Sequence, residues 1–202
     1  MTQSLTARGV ALVTLTLIAT YGIATAETTT SLSTSTAPRD CRGQASARDD
    51  SGARICAGPQ GLKVLIREGD LRETVSIGRS RQMAAVEPAG SQSFGPFNST
   101  SHTIEWRLAN GKPFAAIQRW HIADNDDAGP DQRPRTKQLL VVTRVMPKGI
   151  CHVAYIDVTA NPEADRVARD AATRLARNFD CAKDRIAMVG TPGRATELAS
   201  PR

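Results

Sequence analysis

The sequence predicts an α+β fold, in which an antiparallel β-sheet of about five to six strands packs against one C-terminal α-helix. Three observations support this prediction. Apolar and polar residues alternate in several segments separated by turn residues, one long segment near the C-terminus has apolar residues at helical spacing, and four cysteines can cross-link the product. Strands that follow one another as hairpins pair antiparallel, and an amphipathic helix can then cover one face of their sheet.

Residues 1–26 have the order of a secretory signal peptide. Arg8 is their only charge, an apolar stretch runs from Val10 to Ile18, and small residues end the segment at Ala24-Thr25-Ala26. A membrane anchor is the alternative, but a spanning helix needs about 20 predominantly apolar residues. We therefore expect cleavage after Ala26, a periplasmic or secreted mature chain, and no membrane span after cleavage.

Two flexible ends are expected to flank the folded unit. Residues 27–40 are rich in Thr and Ser and almost without apolar side chains, which is typical of a flexible leader. Residues 191–202 contain prolines and a glycine and are expected to form a disordered tail. Residues 41–190 remain as a single α+β domain, which is long enough for a hydrophobic core.

All four cysteines, Cys41, Cys56, Cys151 and Cys181, lie in the mature part of the chain. An even number in an oxidising compartment indicates disulfides, and four cysteines allow three pairings. We favour Cys41 with Cys56 and Cys151 with Cys181, because each pair flanks one local unit. A metal site is the alternative, but no two cysteines have the close spacing that zinc sites show.

The first predicted strands are residues 62–67 and 74–77, where apolar and polar residues alternate on either side of Glu68-Gly69-Asp70. Residues 83–97 are interrupted by glycine and proline and are expected to be irregular.

The clearest hairpin surrounds Asn110-Gly111, a dipeptide suited to a type I′ turn. Its strands are residues 103–109 and 112–122, and a two-residue loop determines which residues face each other. The predicted pairs are Ala109 with Lys112, Trp106 with Ala115, and Ile104 with Ile117. Directly opposed residues share a face, so the apolar members of these pairs are expected to form one surface.

A polar loop, residues 124–136, is expected to lead into a second hairpin. Its strands are residues 138–146 and 150–158, and Pro147-Lys148-Gly149 forms the turn. The predicted pairs include Val141 with Tyr155 and Arg144 with His152. Residues 185–189 can add a last short strand.

One amphipathic helix is predicted after the second hairpin. Asn161 suits its cap and Pro162 its first turn. Apolar residues, mostly alanines, then recur at three- and four-residue spacing from Ala164 to Phe179, which gives one continuous stripe. Cys181 follows, so a bond to Cys151 would hold the helix on the sheet.

This strand–hairpin–hairpin–helix order resembles a group of uncharacterised exported proteins of alphaproteobacteria. The residues that carry the resemblance run from Cys151-His152-Val153-Ala154-Tyr155 through the Ala-rich helix to Cys181. The resemblance extends over most of the mature chain and implies export. It implies no activity, and therefore no functional residue can be transferred.

Charge and motifs argue against several classes of function. The formal net charge is +6, but basic residues are interspersed with acidic ones, so we expect no nucleic-acid partner for an exported chain. The sequence contains no phosphate-binding glycine loop, no nucleophile elbow and no redox-active Cys pair. No cofactor is expected.

Two groups of polar residues are candidates for chemistry. His102 and His121 can approach each other on the first hairpin as a metal site or an acid–base pair, although two polar residues at a strand end are the simpler interpretation. Asp124, Asp126 and Gly129 match part of a calcium loop, but Arg135 stands where the bidentate Glu is required. A solvated acidic turn is the simpler interpretation there.

The candidate ligand pocket comprises Phe94, Phe97, Trp106 and Trp120, because a loop with two phenylalanines can approach both tryptophans. The leading functional hypothesis is a non-enzymatic envelope domain that binds an envelope protein or a small ligand. The alternative is a small periplasmic hydrolase or metal-dependent enzyme that uses the two histidines and the acidic loop.

Overall fold

The computed structural model describes residues 27–42, 52–145 and 149–200. The predicted signal peptide, residues 1–26, lies outside these ranges, as do Pro147 and Lys148 of the second predicted turn. The strands are β1 (Thr29–Ser35), β2 (Cys41–Arg42), β3 (Arg54–Ala57), β4 (Lys63–Gly69), β5 (Arg72–Gly78), β6 (Asn98–Ala109), β7 (Lys112–Ala128), β8 (Pro134–Arg144), β9 (His152–Asp157) and β10 (Ala187–Met188). The α-helices are α1 (Arg81–Val86), α2 (Ala164–Leu175) and α3 (Arg194–Ala199).

In the described residues these ten strands form one mixed sheet. Its order is β10-β9-β8-β7-β6-β5-β4-β3-β2, and β1 lies beside β6. β10 runs parallel to β9, and β5 meets β6 in one parallel pair, Arg72 with Asn98. The predicted fold class is therefore wrong: the sheet is larger than expected and not purely antiparallel, and three short helices accompany it.

Part of the additional structure comes from segments whose composition predicts disorder. The segment expected to be a flexible leader, residues 27–40, contains β1, which pairs with β6 along its whole length. Much of the predicted polar loop extends β7 and β8. Backbone hydrogen bonds to a neighbouring strand supply the order here, and they do not depend on apolar side chains.

The expected disordered tail also contains regular structure. α3 lies within residues 191–202, and its Ala195 and Ala199 are buried against the sheet. α1 likewise occupies part of the segment that was expected to be irregular, and the Ser80 side chain caps it by accepting a hydrogen bond from the Met83 N–H.

The elements predicted from strong local patterns are present. β4 and β5 pair antiparallel, although their turn is at Asp70-Leu71, where both residues have positive φ. β10 matches the last predicted short strand.

A hydrophobic core lies on each face of the sheet. The α3-side core includes Ile66, Phe94, Trp106, Trp120, Tyr155 and Ala195. The α2-side core includes Phe114, Ile117, Val153, Ile156, Ala168 and Ala172. The central strands β7, β8 and β9 contribute to both cores. Burial on both faces explains the unbroken apolar runs at residues 139–142 of β8 and 153–156 of β9.

The β6–β7 hairpin forms around Asn110-Gly111, where both residues have positive φ, as its turn type requires. A β-bulge next to Arg107 then shifts the register by one residue. The observed pairs are Ala109 with Lys112, Trp106 with Ala116, and Ile104 with Gln118. Such a shift reverses side-chain direction, so Ala115 and Ile117 lie in the α2-side core, away from Trp106. The predicted shared face is wrong for this reason.

The second hairpin is predicted correctly at its centre and wrongly at its end. Val141 faces Tyr155 as predicted. His152 faces Thr143 and not Arg144, because a β-bulge interrupts the pairing of β8 with β9.

α2 is the predicted amphipathic helix, and its stripe of alanines is buried against the sheet. Its C-terminal end is held by Arg144, whose Nη1 donates to the carbonyl oxygens of Ala176 at 2.7 Å and Arg177 at 2.8 Å. A helix leaves these terminal carbonyls without intrahelical partners. The Asn161 side chain does not cap the helix; its Oδ1 accepts a hydrogen bond from the Thr191 N–H at 2.8 Å.

Both favoured disulfides are present. Cys41–Cys56 joins β2 to β3, and Cys151–Cys181 joins the start of β9 to the segment after α2. No helix within residues 27–42, 52–145 and 149–200 is long and apolar enough to cross a membrane.

Candidate functional site

A groove opens at the end of the sheet that β9 and β10 form. It has a volume of about 1010 Å³ and lies between residues 91–96, the end of α3 and residues 184–188. Its apolar lining includes Tyr155, Ile186, Met188 and Leu198. Its polar lining includes Gln92, Ser93, Asn125, Asp184 and Arg185. This combination of apolar contact area with a few polar groups is the usual composition of a binding site.

The groove adjoins an edge of the sheet. Met188 lies opposite Tyr155 in the parallel ladder, and the Val189 N–H donates to the Tyr155 carbonyl oxygen at 3.0 Å. Backbone groups of successive strand residues point to opposite sides, so the N–H and C=O of Met188 point away from β9. β10 is the last strand at this end of the described sheet, and Met188 also lines the groove. The groove therefore offers a backbone donor and acceptor beside apolar side chains.

The α3 wall of the groove is held by carboxylates of β7 and β9. The Ala195 N–H donates to Asp157 Oδ2 at 2.8 Å. Arg194 donates to both carboxylate oxygens of Asp124, at 2.8 and 2.6 Å, and to Asp126 at 2.5 Å. These hydrogen bonds from Arg194 are the main reason that the pKa of Asp124 is lowered. The wall is thus attached to both β7 and β9.

The floor of the groove rests on a buried aromatic cluster, Phe94, Trp120, His152 and Tyr155. The rings of Phe94 and Trp120 meet edge to face with centroids 5.0 Å apart, and Phe94 contacts Tyr155 at 5.4 Å. His152 Nδ1 lies 2.8 Å from the Tyr155 hydroxyl oxygen. Burial lowers the pKa of His152 to about 3 and raises the pKa of Tyr155. Both side chains are therefore neutral at physiological pH.

The structure does not bring the four residues of the sequence-predicted pocket together around one cavity. Phe94 and Trp120 pack directly on each other. Trp106 is fully buried, and its indole N–H donates to a hydroxyl of β1. Phe97 is exposed, with the Arg72 guanidinium 5.0 Å from its ring centroid. The loop that carries the phenylalanines nevertheless lines the groove through its neighbouring residues.

The two candidate histidines have different surroundings. His102 is exposed in an irregular part of β6, where its carbonyl oxygen accepts a hydrogen bond from the Thr36 N–H. His121 Nε2 lies 3.0 Å from Ser101 Oγ, and burial together with the positive charge of Arg119 lowers its pKa. The described residues contain no group of three or more His, Cys, Asp or Glu side chains that could hold a metal ion.

The acidic segment is strand and not loop. Asp124, Asp126 and Asp127 belong to β7, and each carboxylate has a cationic partner. Arg194 binds the first two, and Lys137 donates to the third. Calcium ligation would require these ion pairs to separate and the strand to bend into a loop.

Sequence reasoning missed the residues that define the groove. Tyr155 and Met188 are neighbours because β10, which follows α2 in the chain, pairs in parallel with β9, which precedes it. Arg194 lies in a segment whose composition predicts disorder. The second predicted hairpin placed a strand at residues 150–158, but no local pattern indicated which neighbour the last short strand would find.

Comparison of the chain with models of protein families, with curated proteins and with solved structures found no match. The resemblance to exported alphaproteobacterial proteins stays a prediction.

Proposed function

We propose that this protein is an exported, non-enzymatic domain of the cell envelope that binds an extended segment of a partner protein in the groove beside β10. The observation that carries the proposal is the position of the groove against the unpaired backbone of Met188, at the end strand of the described sheet. An extended segment can add to such an edge as a further strand.

Each part of the groove has a role in this mode of binding. The Met188 N–H and C=O supply the main-chain hydrogen bonds, which hold any extended peptide. Tyr155, Ile186 and Leu198 form the apolar surface for alternate side chains of the partner. Asp184 and Arg185, both exposed at the rim, offer one charge of each sign for choosing among partners.

The chemistry around the groove supports binding over catalysis. The His152–Tyr155 pair is buried and neutral, and the nearby carboxylate of Asp124 is bound by Arg194. A general base needs a pKa near the working pH, and the pKa of His152 is far below it. The same groups are well suited to keep the floor and the α3 wall rigid.

An envelope location is part of the proposal. Two disulfides are compatible with an oxidising compartment outside the cytoplasm. The signal-like order of residues 1–26 and the implied resemblance to exported proteins point the same way.

A proline at position 188 tests the proposal. Proline has no N–H, and the N–H of Met188 takes no part in the ladder with β9, so Met188→Pro removes the outward donor with little effect on the fold. Met188→Leu is the matched control, because it keeps both the backbone donor and the apolar side chain. Wild type and M188L are expected to capture one dominant partner from an envelope extract, whereas M188P is expected to lose it.

Hydrogen exchange with the purified partner provides the decisive readout. The Met188 amide should exchange quickly in the free protein and become protected when the partner is added. Capture of the same partner by M188P in undiminished yield, absence of any dominant partner, or an unprotected Met188 amide in the complex would each overturn the proposal.

A further inference from the structure

A second cavity lies away from the groove, where the β6–β7 turn, the end of α2 and the residues before β1 meet. Its volume is about 660 Å³. Three cationic side chains, Arg79, Lys112 and Arg177, and one carboxylate, Glu27, line it. Positive charge is therefore in excess at this place.

A carboxylate already binds one of these cations. Arg177 Nη1 donates to Glu27 Oε2, and the Arg177 guanidinium lies 4.4 Å from the ring centroid of Phe114. The Nε of Arg177 is buried and has no hydrogen-bond partner among the described residues. Stacking on an aromatic ring restricts a guanidinium to a plane, and its planar donors match the geometry of an oxyanion. The contact with Glu27 shows that the cavity accommodates such a group.

The other two cations are not neutralised. Arg79 and Lys112 are exposed, and neither forms an ion pair with any residue in the described ranges. Lys112 stands at the start of β7, next to the rigid turn, and Arg79 follows β5. Unpaired cations that lie near each other repel, which raises the free energy of the protein. A bound anion relieves this repulsion.

We propose that this cavity binds a phosphate group, and that the Glu27 carboxylate occupies part of the site as an internal competitor. Phosphate carries more charge than a carboxylate and offers more acceptor oxygens to three cations. The cavity also contains Leu62, Pro113 and Phe114, which provide apolar contact for the carbon part of a phosphorylated ligand. This site is separate from the groove, and the proposal does not depend on the proposed function.

The test titrates inorganic phosphate into the full chain with both disulfides formed, at low ionic strength, and follows amide shifts by NMR. Glu27→Gln removes the competing charge at nearly constant shape, so E27Q is expected to bind phosphate about tenfold more tightly than wild type. Lys112→Gln in the E27Q background is expected to weaken binding by a similar factor, and Arg177→Gln is expected to abolish it. Lys183→Gln is the matched control, because Lys183 is 82% exposed and pairs with Asp180.

Arg177 is partly buried, so a loss of phosphate binding in R177Q could come from misfolding. Lys112 is exposed, so a loss of binding in K112Q reports on the site itself. Absence of saturable phosphate binding to E27Q, or an equal loss of affinity in K112Q and K183Q, would refute the site and indicate only general charge attraction. Two sources of the phosphate can be distinguished with phosphatidylcholine vesicles that contain phosphatidic acid. If the protein sediments with these vesicles and the R177Q variant does not, the site binds a lipid headgroup. If the protein binds inorganic phosphate but does not sediment with the vesicles, the site binds a soluble ligand.

Discussion

His152 is a buried imidazole whose protonation is linked to folding. It is 1% exposed, and burial lowers its pKa to about 3, against an ordinary value of 6.5. The unfolded chain therefore binds more protons than the folded protein between these two values. Neutral His152 contributes its full stabilisation at pH values above 6.5, the pKa in the unfolded chain. This stabilisation is lost as the pH falls from 6.5 toward about 3, the pKa in the folded protein.

We expect the free energy of unfolding to decrease by about 2 kcal/mol between about pH 6.5 and 4.5, because one linked proton corresponds to about 1.4 kcal/mol per pH unit. His152→Gln should remove most of this slope. Urea unfolding followed by tryptophan fluorescence measures the slope. Asp124 does not interfere, since its ordinary pKa is 3.8 and its folded pKa is lower. Burial also lowers the pKa of His121, so the slope that remains in H152Q includes a contribution from His121. Equal slopes in wild type and H152Q would contradict the prediction.

At the scale of elements, α2 shows how a short helix is held on a sheet. It has 12 residues, and a helix of this length is marginal by itself in water. Its alanines allow close approach to β8 and β9, and the buried Arg144 side chain satisfies the carbonyl oxygens at its end. Arg144 thus contributes to the order of the helix from a neighbouring strand.

Arg144→Met is expected to lower the free energy of unfolding by about 3 kcal/mol, because a buried and a partly buried carbonyl oxygen lose a charged donor. Arg133→Met is the matched control at an exposed side chain and should change stability by less than about 0.5 kcal/mol. Chemical denaturation monitored by circular dichroism compares the two. If the free energy of unfolding decreases no more in R144M than in R133M, the hydrogen bonds from Arg144 to the end of α2 contribute nothing to stability.

At the scale of the whole molecule, each half of the sheet carries one disulfide. Cys41–Cys56 closes a separation of 15 residues at the β2 end, and Cys151–Cys181 closes one of 30 residues at the β9 end. Cross-links stabilise mainly by restricting the unfolded chain, and a longer loop gains slightly more. Cys151–Cys181 has a second role, because residues 182–188 lead from it directly into β10 and the groove.

Replacement of either cysteine pair by alanine is expected to lower the free energy of unfolding by about 3 kcal/mol, with the C151A/C181A loss larger by about 0.6 kcal/mol. Only C151A/C181A should also increase hydrogen exchange of the Val189 amide, which bonds to Tyr155. Thermal unfolding and exchange mass spectrometry measure the two effects. Faster exchange of Val189 in C41A/C56A but not in C151A/C181A would contradict the second role.

The candidate site was predictable only in part. Phe94 and Trp120 were expected near each other, and the structure joins them, but as core beneath the groove. The prediction of their environment failed because Trp106 and Trp120 are buried by elements distant in sequence. Met188 lies in the last predicted short strand, but the sequence did not indicate that it would pair with Tyr155, which stands 33 residues earlier in the chain.

Local patterns in the sequence determined the Asn110-Gly111 turn, the helix α2 and the cross-links of this protein. The Asn110-Gly111 turn and the alanine stripe of α2 follow from residues that lie close together along the chain, where backbone preference and side-chain spacing act directly. Both disulfide pairs follow from cysteines that flank one local unit. The tertiary structure alone decided the bulges, the strand β1, the helix α3 and the groove. These features depend on backbone hydrogen bonds and packing between segments that are distant in the chain. The sequence pattern of one segment does not identify the segment with which it will pair.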